Sequence, residues 1–180
     1  VLGWAAVTEV TISGNTFGSE TSYQNGGDIV KFMAIANGAV FNITNNTSYS
    51  NYNGFVFAQN TTRDNAYTVR VEKNKFYGGA DHIWIEISGG NTVNATIEVT
   101  SDNTVNGNAF TVTDIKYHSG VIKNWNGYAG VNVTKDAEGK LTSGSFLLDL
   151  AADLLAEGYM AVKNADGTYS VAAHTCSYTE

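Results

Sequence analysis

"VEKNKFYGG" occupies residues 71–79, and related stretches recur along the chain, each with an apolar residue followed three positions later by Asn or Asp. The Asn or Asp positions of these stretches are Asn15, Asn46, Asn74, Asp102 and Asn124. They are separated by 31, 28, 28 and 22 residues. Such intervals match one supersecondary unit of a solenoid, so the repeat predicts a fold built from stacked coils.

Two strands are predicted in each repeat. Apolar residues precede four of the five repeated positions by five and by three residues, as in Val69 and Val71 before Asn74. This alternation is typical of a strand with one buried face. The intervening outward residues are Thr11, Asn42, Arg70 and Glu98. A second apolar run follows each repeated position: "IVKFMAI", "FVFAQ", "IWIEI", "FTVTDI" and "VNVT".

The economical interpretation is an all-β fold, a right-handed parallel β-helix of about five coils over residues 1–138. The right hand follows from the preference of parallel crossovers. Asn tolerates the left-handed conformation at turns, and its amide can bond to the next coil. The five repeated Asn and Asp positions are therefore predicted to form a structural ladder.

The C-terminal residues 139–180 are predicted to cap the solenoid with a helix and a hairpin. "SGSFLLDLAADLLAEG" has a helical stripe of apolar residues, with Ser145 as its N-cap and Gly158 as its stop. Two short alternating runs then flank "NADG" at residues 164–167, which favours a β-hairpin. A cap of this kind would cover the last coil, whose edge would otherwise invite aggregation.

Charge and composition exclude several classes of partner. The formal net charge is −7, and the few Lys and Arg residues are scattered, which argues against nucleic-acid binding. No apolar run is long enough to span a membrane. Cys176 is the single cysteine, and His118 and His174 have no partner at metal-ligand spacing. We therefore expect neither a metal site nor a cofactor.

The densest group of ionisable residues has two interpretations, a solvated turn and a sugar-binding groove. The group comprises Arg63, Asp64, Asp81, His82 and Glu86. Strand alternation places Trp84 and Glu86 on the face opposite Ile83 and Ile85. An outward Trp beside carboxylates suits carbohydrate binding, with Trp84, Arg63 and Asp64 as candidate ligand-binding residues.

The favoured interpretation is nevertheless a solvated turn and a Trp covered by a neighbouring loop, with the sugar-binding groove as the alternative. If the chain is an enzyme, Asp81, His82 and Glu86 are the candidate catalytic residues. Arg70 and Glu98 have the same offset within their repeats, so they are expected to form a cross-strand ion pair on adjacent coils.

Residues 7–135 resemble the pectate-lyase-like right-handed β-helix superfamily in architecture. The tail "LLAEGYMAVKNADGTYSV" looks like a segment that recurs in large surface or secreted proteins of gut bacteria. These resemblances imply an extracellular or cell-surface bacterial location, as part of a larger parent protein. No catalytic signature accompanies them, so we expect a non-enzymatic module for adhesion, glycan contact or use as a stalk. A polysaccharide lyase or glycoside hydrolase is the alternative.

Overall fold

The computed structural model describes residues 8–33, 35–60, 65–88, 92–117 and 124–174. These residues form an all-β fold, a β-solenoid of about four turns. Among them no helix is long and apolar enough to cross a membrane. The expected all-β parallel solenoid is therefore confirmed, with about four turns in place of five.

The first three coils contain three strands each and the fourth contains four, where the sequence predicted two per coil. The first coil comprises β1 (Glu9–Ser13), β2 (Thr16–Phe17) and β3 (Asp28–Met33). The second comprises β4 (Ala39–Thr44), β5 (Thr47–Tyr49) and β6 (Asn53–Asn60). The third comprises β7 (Tyr67–Glu72), β8 (Lys75–Tyr77) and β9 (Asp81–Ser88). The fourth comprises β10 (Thr92–Val99), β11 (Thr104–Val105), β12 (Asn108–Ala109) and β13 (Ile115–Tyr117). The additional strands, β2, β5, β8, β11 and β12, have only two or three residues, too few to show an alternation in the sequence.

The strands assemble into three sheets, one along each side of the solenoid. The first sheet stacks β1, β4, β7 and β10 in parallel, and the second stacks β2, β5, β8 and β11. The third sheet has the parallel order β3, β6, β9, β13. The C-terminal elements are β14 (Asn124–Lys135), β15 (Leu141–Phe146), β16 (Tyr159–Lys163) and β17 (Tyr169–Ala173). They extend the first sheet, where β14 pairs in parallel with β10 and antiparallel with β15.

The core fills the space enclosed by the three sheets. Phe41, Val69 and Ile97 from the first sheet are buried, as the alternation in the sequence predicted. Phe57 from the third sheet stacks on Phe32 with ring centroids 5.0 Å apart. Each fully buried side chain of this size contributes about 1.5–3 kcal/mol through removal of apolar surface from water.

A ladder of buried asparagines connects the coils where the first sheet turns into the second. Asn46 donates from Nδ2 to Asn74 Oδ1 at 3.0 Å, and Asn74 donates from Nδ2 to Asn103 Oδ1 at 2.9 Å. The backbone N–H groups of Asn46 and Asn74 donate to the same two oxygens, each at 2.9 Å. Asn15 begins the ladder at an exposed position and donates from Nδ2 to Asn46 Oδ1 at 3.2 Å.

Two of the predicted ladder positions are wrong. Asn103, and not Asp102, continues the ladder, because the fourth coil has one more residue between the buried Val99 and the asparagine. Asp102 is exposed and accepts hydrogen bonds from the Thr100 hydroxyl and from the Lys73 N–H. Asn124 is also exposed, and it begins β14 opposite Thr92.

The last repeat of the sequence therefore does not form a fifth coil. In β14, Val131 lies opposite Val99 and packs into the core of the solenoid. The run "VNVT" thus continues the first sheet and is not a second strand of a further coil.

The predicted C-terminal helix is absent, whereas the predicted hairpin forms as β16 and β17. Of the predicted helix, only Ser145 and Phe146 belong to β15, where they pair with β14 and β17. The chain then turns back onto β15: residues 152–154 form a single 3-10 turn, Leu155 bridges Leu141, and the Ala156 N–H donates to the Leu141 carbonyl. These backbone groups are therefore not available for a continuous helix. Apolar residues of the helical stripe are nevertheless buried. Phe146 and Leu150 are buried in a second cluster, with Tyr128, Leu141 and Val171.

We predict that Asn74→Ala lowers the free energy of unfolding by about 3 kcal/mol, because it leaves buried hydrogen-bonding groups on neighbouring coils without partners. Asn15→Ala, at the exposed end of the ladder, is the control and should cost less than about 1 kcal/mol. Chemical denaturation of both variants measures the difference. Equal losses would show that the ladder does not contribute through burial.

Candidate functional site

A groove of about 650 Å³ lies on the outward face of the third sheet and the turns that lead into it. Its lining residues come from the first three coils: Gly27, Asp28, Lys31, Asn51, Tyr52, Asn53, Asp81, Trp84 and Glu86. The lining combines aromatic rings, carboxylates, amides and one ammonium group. This is the mixture of an apolar platform and convergent polar groups that ligand sites use.

One row of polar side chains crosses the groove along the solenoid axis. Asp28, Asn53 and Asp81 are register partners on three successive coils. Asn53 donates from Nδ2 to Asp28 Oδ1 at 2.8 Å. No described residue donates a hydrogen bond to the Asp81 carboxylate. Neighbouring strands are about 4.8 Å apart, so the backbones of Asp28 and Asp81 are separated by about 10 Å.

An ion pair crosses the middle coil of the groove. Lys31 on β3 pairs with Glu86 on β9, and the strand between them is β6. The outward residues Val56 and Ala58 of β6 are only 1% and 6% exposed, although they point away from the core. The ion pair thus joins β3 to β9 across this buried apolar strip, and both of its side chains line the groove.

Two aromatic side chains contribute flat surfaces to the groove. Trp84 is half-buried on the outward face of β9, between the buried Ile83 and Ile85 that point into the core. Tyr52, in the turn before β6, is 52% exposed. An aromatic ring with one accessible face can stack on the apolar face of a sugar ring, while nearby carboxylates and amides bind its hydroxyl groups.

His82 does not lie in the groove, although alternation with Trp84 and Glu86 would place it there. The side chain is 3% exposed and stacks on Phe76 in the core, with ring centroids 5.1 Å apart. Gly54 on β6 explains the departure, because a Cβ at that position would lie 2.3 Å from the carbonyl oxygen of His82. The missing side chain allows the two strands to approach, and His82 and Ile83 are both buried.

The remaining predicted residues lie elsewhere. Arg63 and Asp64 are outside the described residues. Arg70 and Glu98 are register partners on adjacent coils of the first sheet, as expected, but the direct ion pair of Glu98 is with Lys135. Burial raises the pKa of the Glu98 carboxyl, but hydrogen bonds from Lys135 and Tyr128 outweigh this effect, so the pKa is lowered overall.

Glu98 and its partners belong to the first sheet, whereas the groove lies on the third. Within the described ranges, no group of three His, Cys, Asp or Glu residues is placed to hold a metal ion.

Sequence reasoning missed Asp28, Lys31, Tyr52 and Asn53. A signal for the polar row was present, because each of "GGDI", "YNGF" and "ADHI" leads into a second-strand run. Aligning Val30 of the first run with Phe55 and Ile83, one residue away from an alignment of the run starts, would have placed Asp28, Asn53 and Asp81 together. Lys31 gives no comparable signal, since its partner Glu86 lies two coils away.

We predict that His82 makes the protein less stable in acid. Burial lowers its pKa from 6.5 to about 4, against the opposing charge of Asp114, and neither ring nitrogen has a hydrogen-bond partner. Below pH 6.5 His82 is protonated in the unfolded chain but stays neutral in the folded protein. The free energy of unfolding therefore falls as the pH drops towards about 4. The full loss is roughly 3 kcal/mol.

Denaturation curves measured across this pH range test the prediction. His82→Leu replaces the imidazole with an apolar side chain of similar size that does not titrate. Its free energy of unfolding should fall by roughly 3 kcal/mol less than that of the unmodified protein between pH 6.5 and pH 4. Parallel pH profiles for the two proteins would contradict the assignment to His82.

No family model, no curated protein and no solved structure matches this chain. The β-solenoid is therefore established by the structure itself, and the resemblance to the pectate-lyase-like superfamily stays a prediction.

Proposed function

We propose that this chain is a non-enzymatic β-solenoid module that binds glycans in the groove of the third sheet. The proposal rests on one observation: two aromatic side chains and a row of polar side chains line the same open groove. They are Trp84 and Tyr52, and Asp28, Asn53 and Asp81. Aromatic faces supply contact area, and planar carboxylate and amide groups bind neighbouring hydroxyls.

The arrangement of the charged groups supports binding rather than catalysis. Proton transfer to a glycan requires an acid or base that can reach the substrate. His82 is turned into the core, and Glu86 is held by Lys31. Asp28 accepts a hydrogen bond from Asn53, which fixes its orientation for binding.

The resemblances of the coils and of the C-terminal tail support a role on a bacterial surface. We propose an extracellular module of a larger bacterial protein, used for adhesion or glycan contact, with a pectate-lyase-like architecture. A structural stalk in the parent protein is the other role that stacked coils could serve in place of glycan contact.

A glycoside hydrolase or polysaccharide lyase is the second candidate, favoured by one specific observation. Asp28 and Asp81 face the same groove, and their backbone separation of about 10 Å is compatible with the carboxyl spacing of about 6.5–9.5 Å in inverting glycosidases. A reducing-end assay on glycans that bind separates the candidates. Cleavage that Asp81→Asn abolishes would establish the enzyme and overturn the binding module.

We predict that Trp84→Ala weakens binding of a glycan identified by array screening at least about tenfold, because it removes the stacking surface. Titration calorimetry measures the affinity. Met160→Ala, which removes an exposed apolar side chain from β16, is the control and should bind as the unmodified protein does. Unchanged affinity in Trp84→Ala would place the glycan site elsewhere.

A further inference from the structure

We propose that the groove selects a glycan carrying free amino groups, such as a glucosamine oligomer, over neutral and acidic glycans. This inference rests on the proposed function and adds the chemical class of the ligand. It follows from the charge of the groove and from the spacing of its carboxylates.

The groove carries an excess of negative charge. Asp28, Asp81 and Glu86 oppose a single ammonium group, that of Lys31. Lys31 is paired with Glu86, so this ion pair is neutral and the other two carboxylates remain uncompensated. Among the described residues, neither of these two carboxylates has a Lys or Arg partner. A cationic ligand group is attracted to this site.

The two uncompensated carboxylates differ in their surroundings. Asp28 already accepts a hydrogen bond from Asn53, and Asp81 accepts none from a described residue. Asp81 is half-buried, so part of its hydration is already lost. An ammonium group that reaches it gains a charge-assisted hydrogen bond with little further desolvation.

The spacing of the polar row fits an extended glycan lying along the solenoid axis. Successive coils are about 4.8 Å apart, close to the length of one pyranose residue in a β-1,4-linked chain. Asp28 and Asp81 are separated by two coils. In such a chain, alternate sugars present their 2-substituents on the same side. Two amines of a glucosamine oligomer therefore match the two carboxylates, with the Asn53 amide opposite the sugar between them.

The same charges disfavour acidic glycans. A uronate oligomer would place its carboxylates beside Asp28 and Asp81, and like charges in a half-buried groove repel. The resemblance to pectate-lyase-like proteins suggests polyuronate ligands, and the groove favours the opposite charge.

The test is titration calorimetry with three oligosaccharides of matched length: a β-1,4-glucosamine oligomer, its fully N-acetylated form, and an oligogalacturonate with and without Ca²⁺. At slightly acidic pH, where the amines are protonated, the glucosamine oligomer should bind at least about tenfold more tightly than either of the others. Its affinity should fall with added salt, and that of the acetylated form should not.

Asp81→Asn provides the matched test of charge. It should weaken the glucosamine oligomer about fivefold and leave the acetylated oligomer within about twofold. Asp153→Asn makes the same change of charge at an exposed position in the C-terminal part of the chain and should change neither affinity.

Equal or tighter binding of the acetylated oligomer or of the galacturonate, with or without Ca²⁺, would overturn the selectivity and leave glycan binding intact. Equal losses for both glucosamine ligands in Asp81→Asn would also overturn it. Absence of binding to every glycan, on an array as well as in the calorimeter, would overturn the proposed function itself.

Discussion

The structure depends on the buried hydrogen bonds that asparagine side chains make from one coil to the next. Each of Asn46 and Asn74 uses its backbone N–H and its Nδ2 to bond a single oxygen on the following coil. Both side chains are buried, so a slip of one residue between coils would leave these groups without partners and without water. The same slip would also turn every buried side chain of the strand outward. Polar and apolar constraints thus specify the same register.

This register also builds the groove, although the groove lies on a different sheet. Because the coils cannot slip, Asp28, Asn53 and Asp81 remain in one row, and Lys31 reaches Glu86 across the middle coil. The polar row and the ion pair therefore lie on strands, and the turns before β3 and β6 add Gly27, Asn51 and Tyr52 to the lining. A solenoid can change its ligand by changing outward residues, since the core and the ladder constrain only the inward and corner positions.

The sequence predicted the parts of the fold whose pattern is repeated within each coil. Alternation found the inward residues of the first sheet and placed Trp84 outward, and spacing found Asn15, Asn46 and Asn74. The predictions from the sequence were wrong where the repeat changes. One additional residue in the fourth coil moved the ladder to Asn103, and β14 paired through Val131 in place of a fifth coil. His82 was misplaced because its burial depends on Gly54 of the neighbouring coil, a tertiary effect that no pattern within one strand records. The C-terminal stripe satisfied helical periodicity, but its start belongs to β15 and its end bonds back to Leu141, which leaves only a 3-10 turn at residues 152–154.

Hydrogen exchange of individual backbone amides tests most directly whether the ladder holds the coils in register. The amides of Asn46 and Asn74 donate to side-chain oxygens and lie at a corner between strands, where exchange would ordinarily be fast. If the ladder holds the coils together, these two amides exchange only through global unfolding, with a protection free energy equal to that of the most protected core strands. The Asn15 amide, at the exposed end of the ladder, exchanges faster. Exchange of Asn46 and Asn74 at rates typical of surface turns would contradict the account.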